Sequence, residues 1–241
     1  MALGSEAFLV FAAAVFMTNQ TAELRHDHLR KSGSGTLEVT SAGVSWTEPS
    51  EPKHNRTWVW RDIQQLTLSA DSIRILTYED KKWHAWRDEE YVLKGLPEGF
   101  AKGVADLLRE NLQGKFVSAI ARDVGDAAWS IPVKLRHGLG GSEGELIFAP
   151  NALVYKSLER DQSRTWPIQQ IEMISSSGPY ELTVLPHEHD GWTRGRKEFR
   201  FQLKRPIENK EYQQLWISVQ NANGLVLDGL QHYQSDLGRK Q

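Results

Sequence analysis

From residue 24 onward the chain is dominated by short stretches in which apolar and polar residues alternate, and each such stretch predicts a half-buried strand. Leu37 and Val39 alternate with polar residues, a turn follows at Ser41, Ala42 and Gly43, and Val44 and Trp46 then alternate in the same way. Further runs lie at residues 56–60, 64–68, 73–78 and 90–93. With the segment around Leu24, about seven strands precede a change of period. After Pro97 the spacing becomes helical, with Phe100, Val104, Leu107 and Leu108 on one face. The whole order then returns, with strand-like runs near Val133, Leu146, Val154, Thr165, Ile171, Leu182 and Phe201. Helical spacing follows Pro206 at Tyr212, Leu215, Trp216 and Val219, and Asn223-Gly224 is its stop signal. The first helix is expected to run on, or to restart after Gly114, through Phe116 and Ile120 toward Trp129.

This recurrence has a register. Leu24-Arg25-His26 returns as Leu135-Arg136-His137, an offset of 111, and Gly35-Thr36-Leu37 as Gly144-Glu145-Leu146, an offset of 109. Arg56-Thr57-Trp58 returns unchanged as Arg164-Thr165-Trp166 at an offset of 108, which also places Ile63 on Ile171 and Leu66 on Ile174. Leu93-Lys94 falls on Leu203-Lys204 at an offset of 110. Matches in one order at a nearly constant offset mark two diverged copies of one unit, with the drift absorbed by loops. The expected organisation is an apolar leader over 1–22, a first module over 23–114, a helical linker over 115–130, a second module over 131–223 and a tail over 224–241.

Composition narrows the function classes. Of the 241 residues, 39% are apolar and 25% charged, as in a soluble globular chain. The net charge of −2 gives no global attraction to nucleic acid or to anionic membranes, so no nucleic-acid partner is expected. Nine Trp suit small cores that must close on few side chains. The absence of Cys excludes disulfides, thiolate metal sites and thiol nucleophiles. Residues 7–17 form an apolar run too short to span a bilayer, with the length of a signal-peptide core but no Lys or Arg before it. A leader of this kind implies an exported or periplasmic protein, whereas an N-terminal helix packed on the domain leaves it cytoplasmic.

Seven short antiparallel strands closed by one C-terminal helix resemble pleckstrin-homology-like (PH-like) domains, and the resemblance covers nearly the whole chain after residue 22. The chain is also similar to uncharacterised exported bacterial proteins with two such modules. The resemblance implies an α+β, mainly β fold. Each module would be a bent seven-stranded antiparallel sheet, or partly open barrel, closed by its helix. Lipocalin-like barrels, the rival reading, need more strands per helix than one copy offers. Fold does not dictate function. The superfamily has no catalytic signature, and its members bind phosphoinositides, peptides or proteins, or serve as scaffolds. Its lipid-binding members hold a basic cluster between the first two strands. Arg25, Arg30 and Lys31, with His26 and His28, fall in that region of the first copy. The second copy offers Lys134, Arg136 and His137 there, followed by residues 138–144 without a cation. A solvated charged loop is the competing account.

Other candidates carry less. His26 with His28, and His187 with His189, place two imidazoles on one face if they lie in strands, as a metal site needs, but each lacks a third ligand. The repeated Arg-Thr-Trp reads as a core anchor whose Arg covers the indole, ahead of a ligand-stacking Trp. Trp192, Arg194, Arg196 and Lys197 form a basic loop able to touch a phosphate or an acidic partner, or simply a charged hairpin tip. Phosphate-loop, nucleophile-elbow and zinc-protease motifs are missing, and no cofactor is implied. The sequence therefore points to a non-enzymatic binding or scaffold protein with a protein, peptide or lipid-headgroup partner. A metal-binding protein or metal-dependent enzyme built on the His pairs is the alternative.

Overall fold

The computed structural model describes residues 20–25, 32–80, 88–138, 140–159, 162–189 and 195–224. Among these residues fifteen strands form one large mixed sheet with two α-helices against it. The first seven strands are β1 (Gln20–Arg25), β2 (Ser32–Thr40), β3 (Gly43–Thr47), β4 (Arg56–Val59), β5 (Ile63–Leu68), β6 (Ser72–Asp80) and β7 (Asp88–Lys94), followed by helix α1 (Phe100–Leu112). A three-residue strand β8 (Phe116–Ser118) comes next. The second series is β9 (Trp129–His137), β10 (Gly140–Ala149), β11 (Ala152–Ser157), β12 (Arg164–Pro167), β13 (Ile171–Gly178), β14 (Glu181–Pro186) and β15 (Phe199–Leu203), then helix α2 (Asn209–Ala222).

The alternation read from the sequence is the burial pattern. Leu37 and Val39 on β2 and Val44 and Trp46 on β3 are buried, while the intervening Glu38 and Ser45 stay partly exposed. Along the sheet the order is β13-β14-β15-β9-β10-β11-β12-β8-β5-β6-β7-β1-β2-β3-β4. The strand order on the two sides of β8 is therefore the same, β4-β3-β2-β1-β7-β6-β5 matching β12-β11-β10-β9-β15-β14-β13. Among the described residues every strand pairing is antiparallel except β5 with β8. Among the described residues the sheet does not close into a barrel, and β4 and β13 stand at its two ends.

Each half has its own core. Leu37, Trp46, Ile63, Leu66 and Leu93 pack with Phe100, Val104 and Leu108 of α1. Ile131, Leu146, Tyr155, Trp166 and Phe201 pack with Leu215 and Val219 of α2. The matched glycines share one packing role. A Cβ on Gly35 would lie 2.3 Å from the Thr47 carbonyl oxygen and 2.7 Å from the Trp46 ring. On Gly144 it would lie 2.3 Å from the Lys156 carbonyl oxygen and 2.8 Å from the Tyr155 ring. In both halves the neighbouring strand and its aromatic residue close over a position that only hydrogen fits.

The helical linker expected over 115–130 is not formed. Helix α1 ends at Leu112, Gln113 takes a positive φ of 49° with ψ −121°, and Gly114 follows. Phe116, Val117 and Ser118 then run as β8, with no helix from there to β9. The apolar pair Phe116 and Val117 fits a strand enclosed on both sides as well as it fits a helix. Helix α2 is capped by Glu208 and Glu211 acting on each other's backbone N–H groups. Arg205 donates to both Glu211 carboxylate oxygens, at 2.8 and 2.7 Å, and to the Ser130 carbonyl at 2.8 Å, tying the helix start to β9.

Replacing Gly144 or Gly35 by Ala is expected to cost about 1–3 kcal/mol of stability, because backbone must move to admit the methyl group. Urea denaturation of each variant against wild type measures it. Arg205 also holds the Glu211 carboxyl below its ordinary range. A carboxylate depressed in the folded state adds stability above its unfolded pKa and loses it as pH falls through the folded value. Glu211→Gln should therefore cost about 1–2 kcal/mol at pH 7. Thermal melts from pH 7 to pH 2 should show the gap closing progressively below about 4.5, the ordinary carboxyl value.

Candidate binding clefts beside the connecting strand

The repeated Arg-Thr-Trp motif separates into shared and divergent parts. Trp58 and Trp166 are both buried, Trp58 with its ring centroid 4.9 Å from that of Tyr91 and Trp166 4.8 Å from that of Phe199. Both indoles anchor cores and are closed to a stacking ligand. Burial pushes the Tyr91 phenol pKa up, as expected beneath Trp58. Thr57 is exposed on β4, whereas Thr165 on β12 is 4% exposed. The difference lies in what flanks each strand: among the described residues β4 pairs on one side only, while β12 lies against β8, with Thr165 opposite Ser118. The Thr165 hydroxyl donates to the Ile120 carbonyl at 2.6 Å and accepts from the Arg122 N–H at 3.0 Å. It therefore holds the connector that leaves β8, which the Ala119 N–H also fastens to the Leu68 carbonyl at 2.8 Å.

So held, the connector has a cleft on either side. The larger, of about 630 Å³, lies between α1 and the connector, with Ala101, Ala105, Ile120 and Ile147 on its apolar surface and Lys102 and Lys156 among its charged groups. The smaller, of about 340 Å³, opens toward Arg109, Asn151 and Gln170. Ser118, Arg122, Asp123 and Val124 wall both. Asp106 on α1 accepts from Arg109 at 2.5 Å and stands 3.7 Å from the Arg122 guanidinium. The larger cleft thus combines an apolar lining with charges of both signs, a chemistry suited to a mixed ligand such as a peptide.

Further contacts brace the halves against each other. The Gln65 side chain on β5 grips the backbone of His189, accepting from its N–H at 2.7 Å and donating to its carbonyl at 3.3 Å. Gln170 donates to the Gln113 carbonyl at 3.0 Å. Next to His189, the buried Glu188 carboxylate stands 3.5 Å from the Arg164 guanidinium and 3.4 Å from the Lys197 ammonium. Arg164 and Lys197 both lie over the Phe199 ring, at 5.7 and 5.2 Å. Arg164 therefore neutralises a desolvated carboxylate and covers an aromatic ring at once.

The described members of the set singled out from sequence, Arg25, Arg136, His137 and Arg196, lie on different parts of the chain. Arg25 ends β1, its backbone paired with Ser32 and Val92. His26, His28, Arg30, Lys31, Trp192 and Arg194 lie outside the described residues, as does the apolar run at 7–17. Arg136 and His137 are exposed at the end of β9, Arg136 opposite Arg200 on β15. Arg196 pairs with Glu172 of β13 and bridges His189, so its charge is already engaged within the fold. His187 and His189 lie beyond Pro186, the last residue of β14, so the same-face argument for strand residues fails for them. Among the described residues no three His, Cys, Asp or Glu side chains gather to hold a metal ion. No helix among them is long and apolar enough to cross a membrane.

No family model matches the sequence, and no curated protein does. Among solved structures the chain is similar, at 15% identity, to the C-terminal domain of an unknown protein from Leishmania infantum, with a TM-score of 0.29 over 47% of this chain and 93% of that one. It is also similar, at 15% identity, to the structure of the Spt16D Pob3N heterodimer, with a TM-score of 0.33 over 78% of this chain and 96% of that one. Likenesses this distant assign neither a ligand nor a partner.

The two Thr positions provide a matched test of what holds the clefts. Thr165→Val removes two part-buried hydrogen bonds, to the Ile120 carbonyl and from the Arg122 N–H, and should cost about 1–3 kcal/mol. Thr57→Val, on the exposed edge, should stay within about 0.5 kcal/mol of wild type. Equal effects in urea denaturation would show that the connector does not depend on Thr165.

Proposed function

We propose that this is a non-enzymatic binding or scaffold protein built from two PH-like modules, with a peptide or protein segment bound in the larger cleft. The observation that carries this reading is the cleft of about 630 Å³ where the two halves meet, walled by α1, the connector and the β10–β11 pair. Its size falls in the range of ligand sites, and junctions between packed units are where such sites concentrate. The recurrence of strand order with a helix after the seventh strand supports the two-module description. In this reading Lys102, Arg122 and Lys156 meet carboxylates of the partner, Asp106 and Asp123 meet its cations, and the alanines of α1 accept its apolar side chains. The apolar leader at 7–17 supports placing the protein outside the cytoplasm.

A random peptide library displayed on phage and selected against the immobilised full chain tests this. Enriched peptides are expected to lose at least tenfold in affinity on Ala105→Trp, which fills the cleft, and to be indifferent to Leu158→Ala at a site 82% exposed. Enriched peptides that ignore Ala105→Trp would remove the cleft from the reading. Salt-sensitive sedimentation with anionic vesicles, and no peptide enrichment, would replace it with a lipid-surface module.

A further inference from the structure

The charges around the connector do not balance. Among the described residues the two clefts are walled by four cations, Lys102, Arg109, Arg122 and Lys156, and by two carboxylates, Asp106 and Asp123. The chain as a whole carries −2, so the positive excess is local. Both carboxylates also have partners within the fold. Asp106 accepts from Arg109 at 2.5 Å, and Asp123 accepts from the Gly125 backbone N–H at 3.1 Å.

The larger cleft receives one cation from each of its walls. Lys102 comes from α1, Arg122 from the connector and Lys156 from β11, and all three residues are exposed. Arg122 stands 3.7 Å from Asp106, and the Thr165 hydroxyl holds its backbone N–H at 3.0 Å, which fixes its place in the wall. Lys102 and Lys156 make no hydrogen bond or ion pair among the described residues. Lys102 lies one turn from Asp106 on α1, and Lys156 lies opposite Glu145 on β10, yet neither couple closes to an ion pair. A ligand that covers Ala101, Ala105 and Ile147 also takes water from the ammonium groups beside them. An apolar or cationic ligand returns nothing for that lost hydration, whereas a carboxylate replaces it.

We propose, resting on the peptide-binding reading of the larger cleft, that its partner is an acidic peptide, one that carries apolar residues with Asp and Glu in excess over Lys and Arg. Its carboxylates meet Lys102 of the first half, Lys156 of the second and Arg122 of the connector. Its apolar side chains lie on the alanines of α1 and on Ile147. Charge complementarity of this kind acts mainly on which partner is chosen and how fast it arrives.

Three sets of synthetic peptides that share their apolar positions and carry Glu, Gln or Lys at the others test the charge. Fluorescence anisotropy with the full chain is expected to show the Glu set binding about tenfold more tightly than the Gln set, with the Lys set weakest. The preference should shrink as salt rises from about 50 to about 300 mM, because screening weakens exposed ion pairs. It should fall about fivefold in the double variant Lys102→Gln, Lys156→Gln, in line with the loss of two exposed ion pairs. It should persist in Lys94→Gln, Lys210→Gln, which removes the same charge from exposed sites outside the cleft lining. A Glu preference that survives the first double variant, or that falls equally in both, overturns the proposal. Gln or Lys peptides that bind as tightly as Glu peptides and are weakened by Ala105→Trp leave the cleft as a peptide site and overturn its acidic preference. Binding by no set, or binding indifferent to Ala105→Trp, overturns the cleft reading and the proposal together.

Discussion

The backbone pairing of β8 with β5 on one side and β12 on the other is the constraint on which the rest of this molecule depends. A sheet edge is a row of N–H and carbonyl groups without partners, and water or another strand must supply them. Three residues supply them for two edges and bury Phe116, Val117 and Ser118 in doing so. Two halves, each with its own core and helix, thereby become one continuous sheet. The connector that leaves β8 is then held between them, and the two clefts are the space on either side of it.

The same enclosure explains why an identical tripeptide has two outcomes. Trp58 and Trp166 do the same work because each half must close its own core. Thr57 faces solvent while Thr165 organises the connector, since only β12 lies against β8. The two Arg residues diverge as well. Arg56 donates to the carbonyls of Lys53 and Asn55, and Arg164 stands against the buried carboxylate of Glu188. The tripeptide is the same in both halves, and the single asymmetric strand gives it different surroundings.

The fold was more legible than the site. Alternation at Leu37, Val39, Val44 and Trp46 reports burial on one sheet face directly, because side chains in a strand point to opposite faces in turn. The cleft has no such local signature. Lys102 and Asp106 come from α1, Arg122 from the connector, and Ile147 and Lys156 from β10 and β11, so no window of sequence contains the set. Basic residues that did stand out, such as Arg196 and Lys197, have carboxylate partners inside the fold, and a local charge count cannot reveal a partner many residues away. His187 and His189 would share a face only within a strand, but β14 stops at Pro186 and Gln65 of the other half holds the backbone of His189.

By itself the sequence determined the periods, the recurring motifs and their offsets, the two helices and the absence of thiol chemistry. These are properties of neighbouring residues or of one copy compared with the other. Tertiary structure decided whether residues 116–118 extend an apolar helix or enter a sheet, which edges are covered, and which charges remain free for a partner. A short apolar run satisfies its backbone equally well within a helix or between two strands. Only the presence of two unpaired edges, β5 and β12, selects the strand.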